Sequence, residues 1–126
     1  MVEIHFNQSV HLHFKLLTRD KTMTSNNQLI AIKRTSVTHH RGNNRAWLEP
    51  CKEMVQAGFT AKARYNIEYN DDSVVLRLNP EGKRGVSNTA RGPILDLCNR
   101  KMNKYNLEGG IQWIIADSVI TIVGVE

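Results

Sequence analysis

The stretch Ala46-Trp47-Leu48-Glu49-Pro50-Cys51 is matched by a second stretch, Pro93-Ile94-Leu95-Asp96-Leu97-Cys98, 47 residues later. The two stretches share a leucine, an acidic residue and the only two cysteines of the chain at corresponding places. Each stretch leads into a short helical pattern, a turn and two strand-like segments. We therefore expect one structural unit to be written twice in the chain.

Two strand-like segments close each unit. They span 63–69 and 73–78 in the first unit, and 111–115 and 119–123 in the second. Asp72-Ser73-Val74 matches Asp117-Ser118-Val119 at an offset of 45 residues, whereas the alternation of apolar side chains fits better at an offset of 46. A shift of one residue moves every side chain to the opposite face of a sheet, so the sequence leaves this register open.

The chain has 126 residues, which is room for one domain. We predict an N-terminal extension and linker at 1–27, followed by a single domain at 28–126. That domain consists of two half-repeats, 28–78 and 79–126. The predicted fold class is mainly β with two short helices, at 51–57 and 98–105.

The N-terminal extension contains His5, His11 and His13. On a strand predicted at 10–16, the last two would share one face with each other, and apolar residues would lie opposite. A metal site needs three or four ligands in suitable geometry, and no cysteine or carboxylate cluster completes one here. We therefore predict an edge strand with a polar face, and neither a metal site nor a cofactor.

The charge balance favours a polyanionic partner. The chain holds 17 basic and 12 acidic residues, for a formal net charge of +5, which suits nucleic acid first and an acidic protein surface second. The sequence shows no apolar run long enough to span a membrane and no secretory signal pattern. Together with two cysteines that indicate no disulfide framework, these features predict a cytoplasmic protein without a membrane partner.

The basic residues collect in two segments, one in each predicted half-repeat. Residues 28–46 contain no acidic residue, and residues 79–95 contain only Glu81. Guanidinium groups bind phosphates and guanine edges bidentately, and amides bind adenine. Basic loop residues are also common as plain surface, so the segregation of charge is what favours a contact. The candidate nucleic-acid contacts are Lys33, Arg34, His39, His40, Arg41, Asn43, Arg45, Lys83, Arg84 and Arg91.

The order of elements in each half resembles the swapped-hairpin domains of the AbrB/MazE superfamily. The resemblance rests on a strand and a basic loop, the Leu48-Glu49-Pro50 element before a short helix, the Gly58-Phe59 turn, and a hairpin with alternating apolar residues. The Trp47-Leu48-Glu49 and Ala57-Gly58-Phe59 pieces also resemble the SymE branch, in which these two pieces lie closer together. The resemblance covers residues 28–124.

The resemblance implies a fold and a function. Domains of this superfamily normally bind DNA as homodimers with intertwined hairpins. Two halves in one chain would therefore form an AbrB-like β-barrel as a single-chain pseudo-dimer. The implied function is a DNA-binding regulator, or an antitoxin-like module, whose paired basic loops face the nucleic acid. DNA is favoured over RNA as the partner, and the protein would be a monomeric pseudo-dimer or a homodimer.

Two other functions stay open. A small, basic, duplicated barrel would serve equally well as an interaction protein of a phage or mobile element that inhibits a partner protein. The SymE-like features also imply an RNA-cleaving toxin, in which His39 or His40 beside Arg41 would act. The sequence has no glycine-rich phosphate loop, no metalloprotease motif and no serine-hydrolase motif, so we assign no catalytic residue.

Overall fold

The computed structural model describes residues 27–125, which form two antiparallel β-sheets. The strands are β1 (Leu29–Thr35), β2 (Thr38–His40), β3 (Asn43–Leu48), β4 (Arg64–Tyr69), β5 (Val74–Leu78), β6 (Arg84–Gly85), β7 (Ser87–Thr89), β8 (Gly92–Cys98), β9 (Ile111–Ala116) and β10 (Val119–Gly124). The helical segments are α1 (Lys52–Gln56) and a 3₁₀ helix (Arg100–Lys104). The prediction of a mainly β fold is confirmed. The strand predicted at 10–16, with its histidines, lies outside the described residues.

Six strands form the larger sheet, in the order β1-β9-β10-β5-β4-β6. Its central strands are apolar on both faces: β9 reads Ile-Gln-Trp-Ile-Ile-Ala, and every residue in it is buried. This composition is typical of strands that are covered on both sides. A two-residue turn, Asp117-Ser118, joins β9 to β10, and Ser118 has the left-handed φ of 69° that such a turn accommodates.

Four strands form the smaller sheet, in the order β2-β3-β8-β7. Its inner face contributes Ala46, Leu48, Leu95 and Leu97 to the main core, which also contains side chains of β4, β5, β9 and β10. Its edge strands β2 and β7 are exposed throughout. Alternation along the two central strands therefore separates a core side from a solvent side.

The segments predicted as basic loops contain strands. Residues 38–48 form the hairpin β2–β3, and residues 87–98 form the hairpin β7–β8. Polar residues dominate the edge strands, so no apolar alternation marks them in the sequence. The inner strands of the two hairpins, β3 and β8, pair with each other across the two halves of the chain. Apart from Lys83, which lies just before β6, the candidate residues of these segments are therefore held on strands or in tight turns.

The strand order shows that the two halves occupy equivalent places in both sheets. If β1–β5 are exchanged, one for one, with β6–β10, each sheet has the same strand order read from its other edge. A shift of 49 residues places the pair Thr38–Arg45 of β2–β3 on the pair Ser87–Ile94 of β7–β8. At this shift Leu48 corresponds to Leu97, so the offset of 47 expected for this stretch is wrong by two residues. An even error leaves the faces of a strand unchanged, and for that reason the apolar pattern did not reveal it.

The closing hairpins of the two halves, β4–β5 and β9–β10, match at an offset of 46, at which Val74 corresponds to Ile120 and Leu76 to Ile122. Where β5 pairs with β10, Leu76 lies opposite Ile120 and Val74 lies opposite Ile122, and all four side chains belong to the main core. An offset of 45 would match Val74 to Val119, which packs in a separate small cluster on the other face of the sheet. The burial of these side chains therefore selects 46.

The two helical segments differ, although each places a methionine in the core. Met54 of α1 and Met102 of the 3₁₀ helix are both fully buried. Cys51 is the N-cap of α1, whereas Cys98 ends β8 and Asn99 caps the 3₁₀ helix. The Asn99 side chain accepts a hydrogen bond from the next-but-one backbone N–H, which favours a tight local turn. The short helix expected at 98–105 is therefore a 3₁₀ helix at Arg100–Lys104, and Asn99 rather than Cys98 precedes it.

Within the described residues, no strand pairing joins the two sheets. β1 and β6 are the edges of the larger sheet, and β2 and β7 are the edges of the smaller one. Short connections at 36–37 and 86 carry the chain from one sheet to the other. The sheets face each other across the main core, and the closed barrel expected from the sequence is not confirmed.

Candidate nucleic-acid interface

Two arginines lie in tight turns at the two ends of the smaller sheet. Arg41 and Gly42 connect β2 to β3 with left-handed φ angles of 55° and 81°, as a two-residue hairpin turn requires. Arginine is a strained choice there, because the left-handed region favours glycine and asparagine. Arg91 lies in the corresponding turn between β7 and β8, and both arginines are exposed.

A groove of about 740 Å³ lies beside β4, β6, the end of β8 and the start of the 3₁₀ helix, and we call it the cationic groove. Four cationic side chains line it together with three amides and a tyrosine, and none of its described lining residues carries a carboxylate. The lining residues are Asn43, Asn66, Ile67, Tyr69, Lys83, Arg84, Cys98, Asn99, Arg100 and Lys101.

The pairing of β4 with β6 positions the first two cations. The Asn66 side-chain oxygen accepts a hydrogen bond from the backbone N–H of Lys83 at 3.2 Å. Arg84 pairs with Tyr65 of β4, and its Nη2 donates to the backbone oxygen of Asp96 at 3.4 Å. The Arg84 side chain therefore bridges from the larger sheet to the smaller one along the groove.

The start of the 3₁₀ helix positions the other two cations, Arg100 and Lys101. Asn99 accepts a hydrogen bond from the backbone N–H of Lys101 at 2.9 Å and donates one to the Tyr69 hydroxyl at 3.0 Å. The Lys101 ammonium lies 5.0 Å from the centre of the Tyr69 ring, in a cation–π contact. These bonds fix the backbone, and both cationic residues remain exposed.

The charge of the cationic groove is not compensated by ion pairs within residues 27–125. The ion pairs of this part of the chain involve Lys33, His39, Arg45, Arg77 and Arg91 instead. Cations that share a concave surface concentrate the positive potential there. Such a groove attracts phosphate groups by charge and offers them guanidinium, ammonium and amide hydrogen-bond donors.

A second groove, of about 680 Å³, lies beside β1 and the end of β3, and we call it the mixed groove. It combines three cations with Glu49, a tryptophan and small polar side chains. Its lining residues are Lys33, Arg34, Thr35, Ser36, Thr38, His39, Arg45, Trp47, Leu48, Glu49, Pro50 and Cys51. Among its cations, Lys33 and Arg45 form ion pairs with Glu53 and Asp96.

These two ion pairs differ in geometry. Arg45 donates from Nε and Nη2 to the two carboxylate oxygens of Asp96 at 2.9 and 2.7 Å, and its guanidinium stacks 4.4 Å from the centre of the Trp47 ring. The hydrogen bond to Asp96 raises the pKa of Arg45. The Lys33 ammonium lies 3.2 Å from Glu53. A hydrogen bond from its own backbone N–H, together with Lys33, lowers the pKa of Glu53.

The structure distributes the predicted contact residues over several places. Asn43, Lys83 and Arg84 meet in the cationic groove, whereas Lys33, Arg34, His39 and Arg45 line the mixed groove. His40, Arg41 and Arg91 lie at exposed positions in or beside the two turns. The imidazole of His39 lies 3.2 Å from a carboxylate oxygen of Glu108. A role in nucleic-acid binding stays a prediction for all of them.

Sequence reasoning missed Arg100 and Lys101, because the second basic segment was taken to end at residue 95. A signal was present: residues 99–104 read Asn-Arg-Lys-Met-Asn-Lys, with three cations and no acid. Asn66 and Tyr69 gave no comparable signal. Only the pairing of β4 with β6 and the hydrogen bond to Asn99 bring them to the groove.

Further features of the described chain bear on partners. Among residues 27–125, no three histidine, cysteine or acidic side chains gather where they could hold a metal ion. None of the helices in that range has the length and apolar character needed to cross a membrane. Comparison of the chain with protein-family models, curated proteins and solved structures gave no match.

Proposed function

We propose that this protein binds nucleic acid, with duplex DNA as the first candidate, through the cationic groove and the turns that carry Arg41 and Arg91. The observation that carries the proposal is the set of four groove cations with no carboxylate among the described lining residues. Neutralisation of phosphates by lysine and arginine supplies much of the affinity of proteins for nucleic acid. The neighbouring amides would add hydrogen bonds to the backbone or to base edges.

The strand pairing supports an AbrB-like, swapped-hairpin interpretation. β1 of the first half pairs with β9 of the second half, and β6 of the second half pairs with β4 of the first. Each closing hairpin therefore pairs with the opening strand of the other half, as in intertwined dimers. We propose that residues 28–126 are a duplicated unit that forms a pseudo-dimer within one chain, acting as a cytoplasmic regulator.

The spacing of the two turns suits one duplex. The turn of Arg91 lies beside Pro50, because a Cβ atom on Gly92 would come within 3.2 Å of that proline. Eight residue steps separate Gly42 from Pro50, or roughly 26 Å at the rise of a strand. One turn of B-DNA measures about 34 Å. The two turns are therefore separated by less than about one turn of B-DNA, which supports contact of both arginines with a single duplex. The Arg91–Glu49 pair, at 4.0 Å and well exposed, offers little resistance to this contact.

The test is fluorescence anisotropy of the chain with labelled duplex DNA, single-stranded DNA and RNA, each over a salt titration. We expect binding that weakens with salt, with a logarithmic slope of about −0.9 per neutralised phosphate on duplex DNA. The variant Lys83→Gln/Arg100→Gln/Lys101→Gln should reduce the magnitude of that slope by about three.

The matched control is Lys62→Asn, which removes one exposed cation from a turn outside both grooves, at a φ of 72° that asparagine tolerates. Its affinity should equal that of the unmodified chain. Absence of binding to every nucleic acid at low salt would sink the proposal and leave the protein-interaction function as the one to pursue by pull-down. Shortening of the labelled RNA during the titration would instead support the RNA-cleaving alternative.

A further inference from the structure

The cationic groove and the mixed groove occupy corresponding places in the two halves of the chain. Thr35 of β1 pairs with Ile111 of β9, and Arg84 of β6 pairs with Tyr65 of β4. Ile111 corresponds to Tyr65 at the offset of 46 that relates the closing hairpins. Thr35 therefore corresponds to Arg84, and the opening strands β1 and β6 also match at a shift of 49 residues. At this shift the corresponding residues on the strands and their ends are Arg34 and Lys83, Thr35 and Arg84, and Glu49 and Cys98. Continued into the start of the helical segments, the same shift places Cys51 on Arg100 and Lys52 on Lys101. Apart from Lys52, every one of them lines its groove.

These five pairs of positions differ in net charge between the two halves. In the first half the cations Arg34 and Lys52 are offset by Glu49, which leaves +1. In the second half the five positions hold four cations and no acid, which gives +4. Cys98 stands where the first half has an acid, and Arg100 stands where it has a cysteine.

Ion pairs preserve this difference. Lys33 and Arg45 of the mixed groove correspond to the uncharged Gly82 and Ile94 at the same shift, but Glu53 and Asp96 neutralise them at 3.2 and 2.7 Å. The turns differ as well, because Arg41 corresponds to Ala90 and Gly42 to Arg91 at the same shift. One half therefore presents a strongly positive surface, and the other presents a nearly neutral one at the equivalent place.

We propose that, of the two grooves, only the cationic groove binds the nucleic-acid backbone, and that the target site consequently lacks twofold symmetry. This inference rests on the proposed function and deepens it. A homodimer presents two identical surfaces, and its operators are palindromic for that reason. A pseudo-dimer with unlike grooves has no such constraint and sits on its target in one orientation.

The test compares two double variants that each remove two charges at corresponding positions: Lys83→Gln/Lys101→Gln and Arg34→Gln/Lys52→Gln. In anisotropy titrations the first should reduce the magnitude of the salt slope by about two, and the second should leave it unchanged. Thermal melting of both variants shows whether each remains folded. If the Arg34 variant unfolds, the single variants Lys101→Gln and Lys52→Gln give the same comparison, with a loss of about one against none.

Selection of binding sites from random-sequence duplexes is the second measurement. A consensus without twofold symmetry supports the inference, and a palindromic consensus overturns it. Equal losses in the two double variants also overturn it, although the chain would still be a nucleic-acid-binding protein. If the unmodified chain binds no nucleic acid, the proposed function itself fails and this inference fails with it.

Discussion

The two sheets of this protein share one core but differ in how they use their outer faces. In the larger sheet the outer face is apolar as well: Ile114 and Val123 pack there with Leu29 and Ile32, away from the main core. In the smaller sheet the outer side of β3 carries Arg45 and Trp47, which are partly exposed and contact Asp96 or each other. We therefore expect the larger sheet to contribute more to stability, whereas the smaller sheet carries charge on its outer face.

This division explains where the candidate interface lies. Charged side chains are costly inside a doubly covered sheet unless they are paired, so the cations collect at edges, turns and the connections between the sheets. Both grooves lie at such places, where β1 or β6 approaches the end of β3 or β8. Four predictions test how far the two sheets differ, from the largest expected effect to the smallest.

The largest effect is expected from Trp113→Ala in the larger sheet. The indole is fully buried, and its Nε1 donates to the Thr35 hydroxyl at 2.9 Å. We expect a loss of about 3–5 kcal/mol in the free energy of unfolding, measured by urea denaturation. The matched variant is Trp47→Ala in the smaller sheet, where the side chain is partly exposed and about 1 kcal/mol should be lost. Equal losses would contradict the division between the sheets.

An intermediate effect is expected from the Arg45–Asp96 pair across β3 and β8. Both side chains are about a quarter exposed, at 28% and 27%, so solvent screens part of their attraction. A double-mutant cycle with Arg45→Gln and Asp96→Asn should give a coupling energy of about 0.5–1 kcal/mol that falls in high salt. A coupling above about 3 kcal/mol would indicate a buried network instead.

A smaller effect on stability is expected from Arg41→Asn. Asparagine tolerates the left-handed φ of 55° at this position better than arginine does, so the free energy of unfolding should change by less than about 0.5 kcal/mol. The slope of the salt titration with duplex DNA should nevertheless lose about one in magnitude, because one phosphate contact is removed. An unchanged slope would remove this turn from the interface.

The smallest effect concerns pH. A carboxylate whose pKa is lowered by folding contributes stability that is present above its ordinary pKa, here 4.5, and is lost as pH falls through the lowered value. The unmodified protein should therefore lose slightly more stability than Glu53→Gln between roughly pH 5 and pH 3. Thermal melting over that range measures the difference. A steeper loss in the variant would contradict the inferred direction of the shift.

The closing hairpins could be predicted from the sequence to within one or two residues, because their apolar residues alternate and Asn or Asp turns separate the strands. The small edge strands β2, β6 and β7 could not be predicted in the same way. They are short and polar or glycine-containing, and pairing with neighbouring strands holds them in place. Because β2 and β7 have no apolar alternation, the offset of 49 between the halves was not recognisable from the sequence either.

The mainly β class, the alternation that buries Leu76 and Ile120 together, and the excess of positive charge all follow from the order of residues in the chain. They are local or additive properties, and they can be read along a single strand or summed over the chain. Which cations share a groove, and which are neutralised, depends instead on how distant parts of the chain pack. Arg84 and Lys101 meet through strand pairing and a short 3₁₀ helix, whereas Arg45 is held by a carboxylate 51 residues away. Electrostatic partners depend on distance in space, and that distance is set when the two halves of the chain pack together.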